Sequence, residues 1–197
     1  MSEKIFTPIL LIGFNRPKFS KALIERLRRF APPKIYFFVD GPRSGHELDL
    51  VLVSEVRATA KEVDWECEVE TLFSPVNLGC KYGPETALNW FFESETAGII
   101  LEDDCIPDKS FFEYCEFCLS EFEKVKNVWH IAGNNFNAPQ ELFRDVGVSF
   151  SSLAQVWGWA TWRDRWEKFQ SNPFYLEEDV CHDEWAISRI ASFVKKQ

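Results

Sequence analysis

The sequence predicts an α/β domain built on a mostly parallel sheet with helices on both faces. Three observations carry that prediction. Short apolar runs alternate with longer amphipathic stretches four times across the first half of the chain, the pattern of repeated strand–helix units. One run, Ala97-Gly98-Ile99-Ile100-Leu101, has no polar residue at all and so reads as a strand buried on both faces. It stops abruptly at Glu102-Asp103-Asp104, and ligands of such sheets gather at the carboxyl ends of the strands.

Each element follows from its own signals. Residues 8–14 read as a buried strand, and Asn15-Arg16-Pro17 leads into an amphipathic helix to about residue 30, with Pro17 suited to a first helical position. Residues 34–39 read as a second strand ending in the turn signal Asp40-Gly41-Pro42. A helix over 47–62 and a strand over 68–73 come next, then a loop over 74–81 and a helix over 84–93. The fourth strand ends in the acidic triplet, and Pro107-Asp108 opens a helix to about residue 124. The last third is different. Residues 128–132 fit another strand, broken by Gly133-Asn134-Asn135, and the Trp-rich segment 156–162 runs into a charged helical stretch to Phe169. Asn172-Pro173 interrupts that stretch, and a final helix is expected from about Asp183. No internal repeat or low-complexity linker is present.

The bulk composition bounds the function. At 197 residues the chain fits one domain with a sizeable core, and 46% hydrophobic with 27% charged residues argues against a disordered chain. A net charge of −9 argues against nucleic acid or an anionic membrane as partner. A phosphate-bearing substrate stays possible where a metal supplies local positive charge. No apolar run is long enough to make a transmembrane segment. The first residues lack a signal-peptide layout, so a cytoplasmic protein is expected. Most of the six cysteines sit inside apolar segments, which suits a reducing compartment. Cys115 and Cys118 have zinc-like spacing, but no matching second pair exists, so core packing is the expected role.

The triplet is the chemical feature. Adjacent carboxylates raise each other's pKa unless a cation holds them, and hard oxygen ligands suit Mg²⁺ or Mn²⁺, which commonly arrive with a phosphate-bearing substrate. Acids before a helix are also ordinary caps, but Pro107-Asp108 already provides that start and leaves three acids on the strand side. A Walker B reading fails because the chain has no G-x-x-x-x-G-K-[ST] loop. If the sheet is parallel, Asn15-Arg16, Asp40-Gly41 and the triplet lie along one edge. Asp40 suits a ribose or base contact and equally a turn cap; Gly79, after Asn77-Leu78, suits close approach to a diphosphate. His130, within the strand pattern, is expected to be a satisfied core or edge residue.

These motifs resemble the glycosyltransferases of the GT-A fold, which use nucleotide-diphosphate sugars. Glu102-Asp103-Asp104 followed by Pro107-Asp108 and Phe111-Phe112-Glu113-Tyr114 is similar to the acidic motif of the N-acetylglucosaminyltransferase I group. Phe14-Asn15-Arg16-Pro17, Val39-Asp40-Gly41, Asn77-Leu78-Gly79 and Trp157 to Trp162 resemble, in order, segments of small family-two-like transferases. The resemblance covers at least residues 7–166.

It implies a GT-A (Rossmann-like) fold, with 1–132 as a nucleotide-sugar-binding part and 133–197 as the acceptor-side part of the same domain. The implied activity is metal-dependent transfer of a hexosyl or N-acetylhexosaminyl group, with inversion, from a UDP-linked donor to a glycan hydroxyl. By the same resemblance Asp104 ligates Mn²⁺ or Mg²⁺. Phe14, Asn15, Arg16, Asp40, Asn77, Gly79, Glu102 and Asp103 line the nucleotide sugar. Asp183 or Glu184, in His182-Asp183-Glu184-Trp185, is the base for the acceptor hydroxyl, and Asp183 equally suits the cap of the final helix. Trp157, Trp159 and Asn134 are placed on the acceptor side, where indoles stack on sugar faces; of Trp157, Trp159, Trp162 and Trp166 at least two are expected to be core residues. Related chains continue well past the Trp-rich segment, whereas this one ends at Gln197. A minimal transferase, a fragment and a chain with a weakened acceptor side therefore all stand open, as does a sugar-nucleotide or glycan-binding module that has lost turnover. A metal-dependent nucleotidyltransferase is the more distant alternative, since it wants a glycine-rich basic loop where Phe14-Asn15-Arg16-Pro17 stands.

Overall fold

The computed structural model describes residues 4–134, 150, 151 and 154–171. Among the described residues six strands form one sheet in the order β3-β2-β1-β4-β6-β5. The strands are β1 (Ile9–Gly13), β2 (Lys34–Val39), β3 (Glu68–Phe73), β4 (Ala97–Glu102), β5 (Ile131–Ala132) and β6 (Trp159–Trp162). The helices are α1 (Pro17–Arg28), α2 (Glu47–Ala58), continued by a 3-10 turn at Thr59–Glu62, α3 (Gly79–Ser94), α4 (Lys109–Glu121) and α5 (Arg163–Ser171).

The first four strands are parallel. Leu11 of β1 stands between Phe37 of β2 and Leu101 of β4, and Phe37 in turn pairs with Thr71 of β3. Alternation along these strands splits the core into two layers. Ile9, Leu11, Ile99 and Leu101 pack with Leu23 and Leu27 of α1, Val53 and Val56 of α2 and Phe112 of α4. Leu10, Tyr36, Phe38 and Ile100 face Ala87, Leu88, Phe91 and Phe92 of α3 on the opposite side. Helices on both faces are why the strands carry apolar residues at odd and even positions alike.

The sheet departs from a wholly parallel one at one side. β6 runs antiparallel to β4, with Trp159 opposite Ile100, and β5 runs antiparallel to β6. Reversal places the start of β6 and the end of β5 at the same sheet edge as the end of β4. Gly133 and Gly158, which flank those two strands, meet there through a Gly133 N–H to Gly158 carbonyl bond of 3.1 Å.

Two boundaries differ most from the sequence expectation. The strand expected over 128–132 is only Ile131–Ala132. Helix α3 starts at Gly79 rather than Pro84 and carries Pro84 inside it. The earlier start has a remote cause. The Asp40 carboxylate accepts the backbone N–H groups of Leu78 and Gly79 at 2.8 and 3.0 Å, satisfying donors that a helix end leaves open. The Pro84 ring then costs one internal bond. Cys115 and Cys118 are both buried in the α1-side layer, as packing residues. Among the described residues no helix is long and apolar enough to cross a membrane.

Candidate active site at the strand ends

The acidic triplet sits where the parallel sheet ends. Asp103 leaves β4 with its N–H bonded to the carbonyl of Ile12 at 3.1 Å, and its carboxylate is almost wholly buried at 3% exposure, against 37% for Asp104. Arg16, the residue before α1, bridges the two. Its Nε and Nη2 donate to Asp103, the Nε contact at 3.3 Å, and its Nη1 donates to Asp104 Oδ2 at 3.0 Å. The crowding that the sequence predicted is thus balanced by an arginine 87 residues away in the chain. Burial pushes the Asp103 carboxyl up, and Arg16 opposes that rise. Glu102 is half-buried; burial raises its carboxyl too, and Asp104 and Asp103 add to the rise.

Asp104 faces a cavity of about 550 Å³. Cys105, Pro107, Asp108 and Phe111 line one side and Asn134, Trp157 and Gly158 the other. The structure thereby brings Asp104 together with Asn134 and Trp157, although the sequence separates them by 30 and 53 positions. Gly158 adopts φ +70° at this junction, a conformation that favours glycine. Trp157 is 53% exposed at the rim.

Trp159 lies outside the cavity wall. It stacks on His130 with ring centroids 4.6 Å apart. His130 Nε2 lies 2.6 Å from the carbonyl of Gln155; a carbonyl only accepts, so Nε2 carries the proton. Burial lowers the His130 pKa. Trp162 is a core residue whose Nε1–H donates to the Leu119 carbonyl at 3.1 Å. Trp166 packs on the α3-side layer and donates to Asn89 Oδ1 at 2.7 Å.

A second cluster lies at the ends of β1 and β2. Asp40 accepts four hydrogen bonds from its own protein: from the N–H groups of Gly41, Leu78 and Gly79 and from Asn77 Nδ2. Four donors fill the usual capacity of a carboxylate, so in this arrangement Asp40 fixes the 77–79 loop. Gly79 has φ +76° and open space where a side chain would stand, leaving its backbone approachable. Asn15 donates to Asp49 Oδ1 at 2.8 Å. Arg43 grips the same carboxylate through Nε and Nη2 at 2.6 and 3.0 Å, with its guanidinium 5.4 Å from the centre of the Phe14 ring. Arg43, followed by Asn15, holds Asp49 well below the usual carboxylate range. Arg43 and Asp49 are missing from the sequence prediction. The available signal was an acid inside the otherwise apolar segment Leu48-Asp49-Leu50-Val51-Leu52-Val53. Asp183 and Glu184 lie outside the described residues.

The oxygen donors present suit a hard divalent cation. Mg²⁺-type sites use one or two carboxylates and take further oxygens from substrate phosphates and water, and the exposed carboxylate of Asp104 is of that kind. Arg16 already occupies the position of a counter-cation. Among the described residues no group of three or more His, Cys, Asp and Glu side chains is placed to hold a metal ion.

No protein-family model matches the chain, and no curated protein matches its sequence. Solved structures do match its shape. A mannosyltransferase from Pyrobaculum calidifontis, in complex with GDP-Man and Mn²⁺, aligns over 84% of this chain with a TM-score of 0.55 at 9% identity. The chain has the GT-A fold. It spans about half of that mannosyltransferase, 47% of its length. The 4-diphosphocytidyl-2C-methyl-D-erythritol synthase of Anaerococcus prevotii aligns over 98% of this chain and 99% of its own at 6% identity, with a TM-score of 0.42. A UDP-glucose pyrophosphorylase aligns over 98% and 88% at 8% identity, with a TM-score of 0.43.

Proposed function

We propose that this chain transfers a sugar from a nucleotide-diphosphate donor, UDP-linked by its motifs, to a hydroxyl of a glycan, with inversion. The observation that carries this reading is the position of Asp104. It stands at the carboxyl end of a central parallel strand, in a cavity shared with Asn134 and Trp157. A donor bound at the strand ends would meet an acceptor within that cavity.

The residues divide the work. Phe14, Asn15 and Arg43 form the platform at the ends of β1 and β2 where a nucleoside fits. Asp40 and Asn77 fix the 77–79 loop, in which Gly79 carries no side chain to block an approaching diphosphate. Asp104 would hold Mn²⁺ or Mg²⁺, with Glu102 and Asp103 behind it toward ribose and metal-bound water. Bound there, the metal would supply Lewis-acid stabilisation of charge on the departing diphosphate. Asn134 donates to or accepts from sugar hydroxyls, and the exposed Trp157 face stacks on a sugar ring. Asp183 or Glu184 is the proposed base for the acceptor hydroxyl.

A thermal-shift series of nucleotide sugars and free nucleotides, each with and without Mn²⁺, tests the reading, because a ligand that binds only the native state raises its stability. The expected result is a Mn²⁺-dependent rise with a uridine-diphosphate sugar. No shift with any nucleotide sugar would overturn it.

A further inference from the structure

Arg16 makes a contact that a metal-loaded site has to remake. Its guanidinium spans two carboxylates of unequal standing: Asp103 is buried, and Asp104 is open to the cavity. The Asp103 side is fixed by two donors. The Asp104 side is a single contact of 3.0 Å on an oxygen, Oδ2, that a cation would also use. Arg16 is itself 43% exposed, so its outer face can turn without breaking the core. Its carbonyl accepts the Phe19 and Ser20 N–H groups at the start of α1, which holds the backbone of Arg16 in place while the side chain moves.

We propose that Arg16 is the resident counter-ion of the acidic triplet. It pairs with Asp104 in the metal-free protein, yields that carboxylate to a divalent cation, and turns the freed donor toward the diphosphate arriving with the metal. Metal and nucleotide then bind as a coupled pair. The metal alone has to break an ion pair, and with the nucleotide present the released guanidinium regains an anionic partner. The proposal rests on the metal–nucleotide reading above and adds an order of events to it.

The geometry also says how to separate this exchange from plain charge repulsion. A lysine at position 16 keeps the charge, but its compact ammonium lacks the fork that spans both acids. Anchored on the buried Asp103, it leaves Asp104 free.

Calorimetric titration with Mn²⁺ alone, and with UDP at zero and saturating Mn²⁺, decides the matter on wild type, Arg16→Gln, Arg16→Lys and Asp104→Ala. Both Arg16 variants should bind Mn²⁺ alone more tightly than wild type, by roughly fivefold for one partly exposed ion pair. The factor by which Mn²⁺ strengthens UDP binding should be large in wild type and shrink in Arg16→Gln. By linkage, UDP strengthens Mn²⁺ binding by the same factor. Asp104→Ala should lose the Mn²⁺ response. Tightening in Arg16→Gln with none in Arg16→Lys means charge alone and overturns the exchange, as does unchanged Mn²⁺ affinity in both variants. Absence of Mn²⁺ binding by wild type with UDP present would instead remove the metal reading, and the exchange with it.

Discussion

At the scale of single residues the acidic triplet divides into unlike parts. Asp103 is buried and tied twice to Arg16, so its loss is felt first in stability. Asp104 is exposed to the cavity and carries the proposed chemistry. Asp104→Ala should therefore leave unfolding free energy within about 0.5 kcal/mol of wild type. Asp103→Ala strips the buried partner from Arg16 and should cost roughly 1–3 kcal/mol in urea unfolding. A reversed order of the two would refute this division. Asp49 gives a pH test. Arg43 and Asn15 depress its folded pKa, so its contribution is present above the ordinary carboxylate value of about 4 and is lost as pH falls below it. Asp49→Asn should accordingly lower the urea midpoint at pH 7, and the gap from wild type should shrink steadily as pH falls from about 4 toward the depressed folded pKa. A gap that does not shrink over that range would show that packing, not charge, holds the site.

At the scale of elements, the strands were legible because burial on both faces writes itself into consecutive residues. β2 falls on residues 34–39, as its apolar run and turn signal predict, and the edge strand β3, none of whose residues is buried, falls on 68–73. The start of α3 was not legible. Its local text reads as a turn followed by proline, and the donors of its first turn are satisfied by Asp40, some forty residues upstream. Asp40→Ala should therefore cost about 1–2 kcal/mol, the size of a lost helix cap, and should speed hydrogen exchange at the Leu78 and Gly79 amides. Unchanged exchange there would remove Asp40 as the cause. The reversal of β6 was equally hidden, since a Trp-rich strand gives no sign of its direction. Gly158 marks where the chain makes that reversal. A Cβ there would meet only ordinary contacts with Phe111 at 3.5 Å, so Gly158→Ala should cost roughly 1–2 kcal/mol through φ alone. A neutral Gly158→Ala would mean that the junction relaxes.

At the scale of the whole molecule, topology assembles the site. Four parallel strands point their carboxyl ends to one edge, and the antiparallel pair β5–β6 returns Asn134 and Trp157 to it. Placement of the triplet at that edge was readable from one apolar run ending in three acids. The Arg16 contact was not, because an ion pair across 87 positions leaves no periodic trace in the sequence. In the proposed reading a nucleotide binds on the β1–β2 side of this edge, the cavity beside β4 takes a second substrate, and Asp104 serves both.

The most direct test of that arrangement is release of free UDP from a UDP-sugar series, with Mn²⁺ present or removed by chelation, by wild type and Asp104→Ala. The account predicts Mn²⁺-dependent release by wild type that falls at least roughly a hundredfold in Asp104→Ala, with both proteins equally folded. Tight nucleotide binding without release, or release that Asp104→Ala leaves intact, would contradict it.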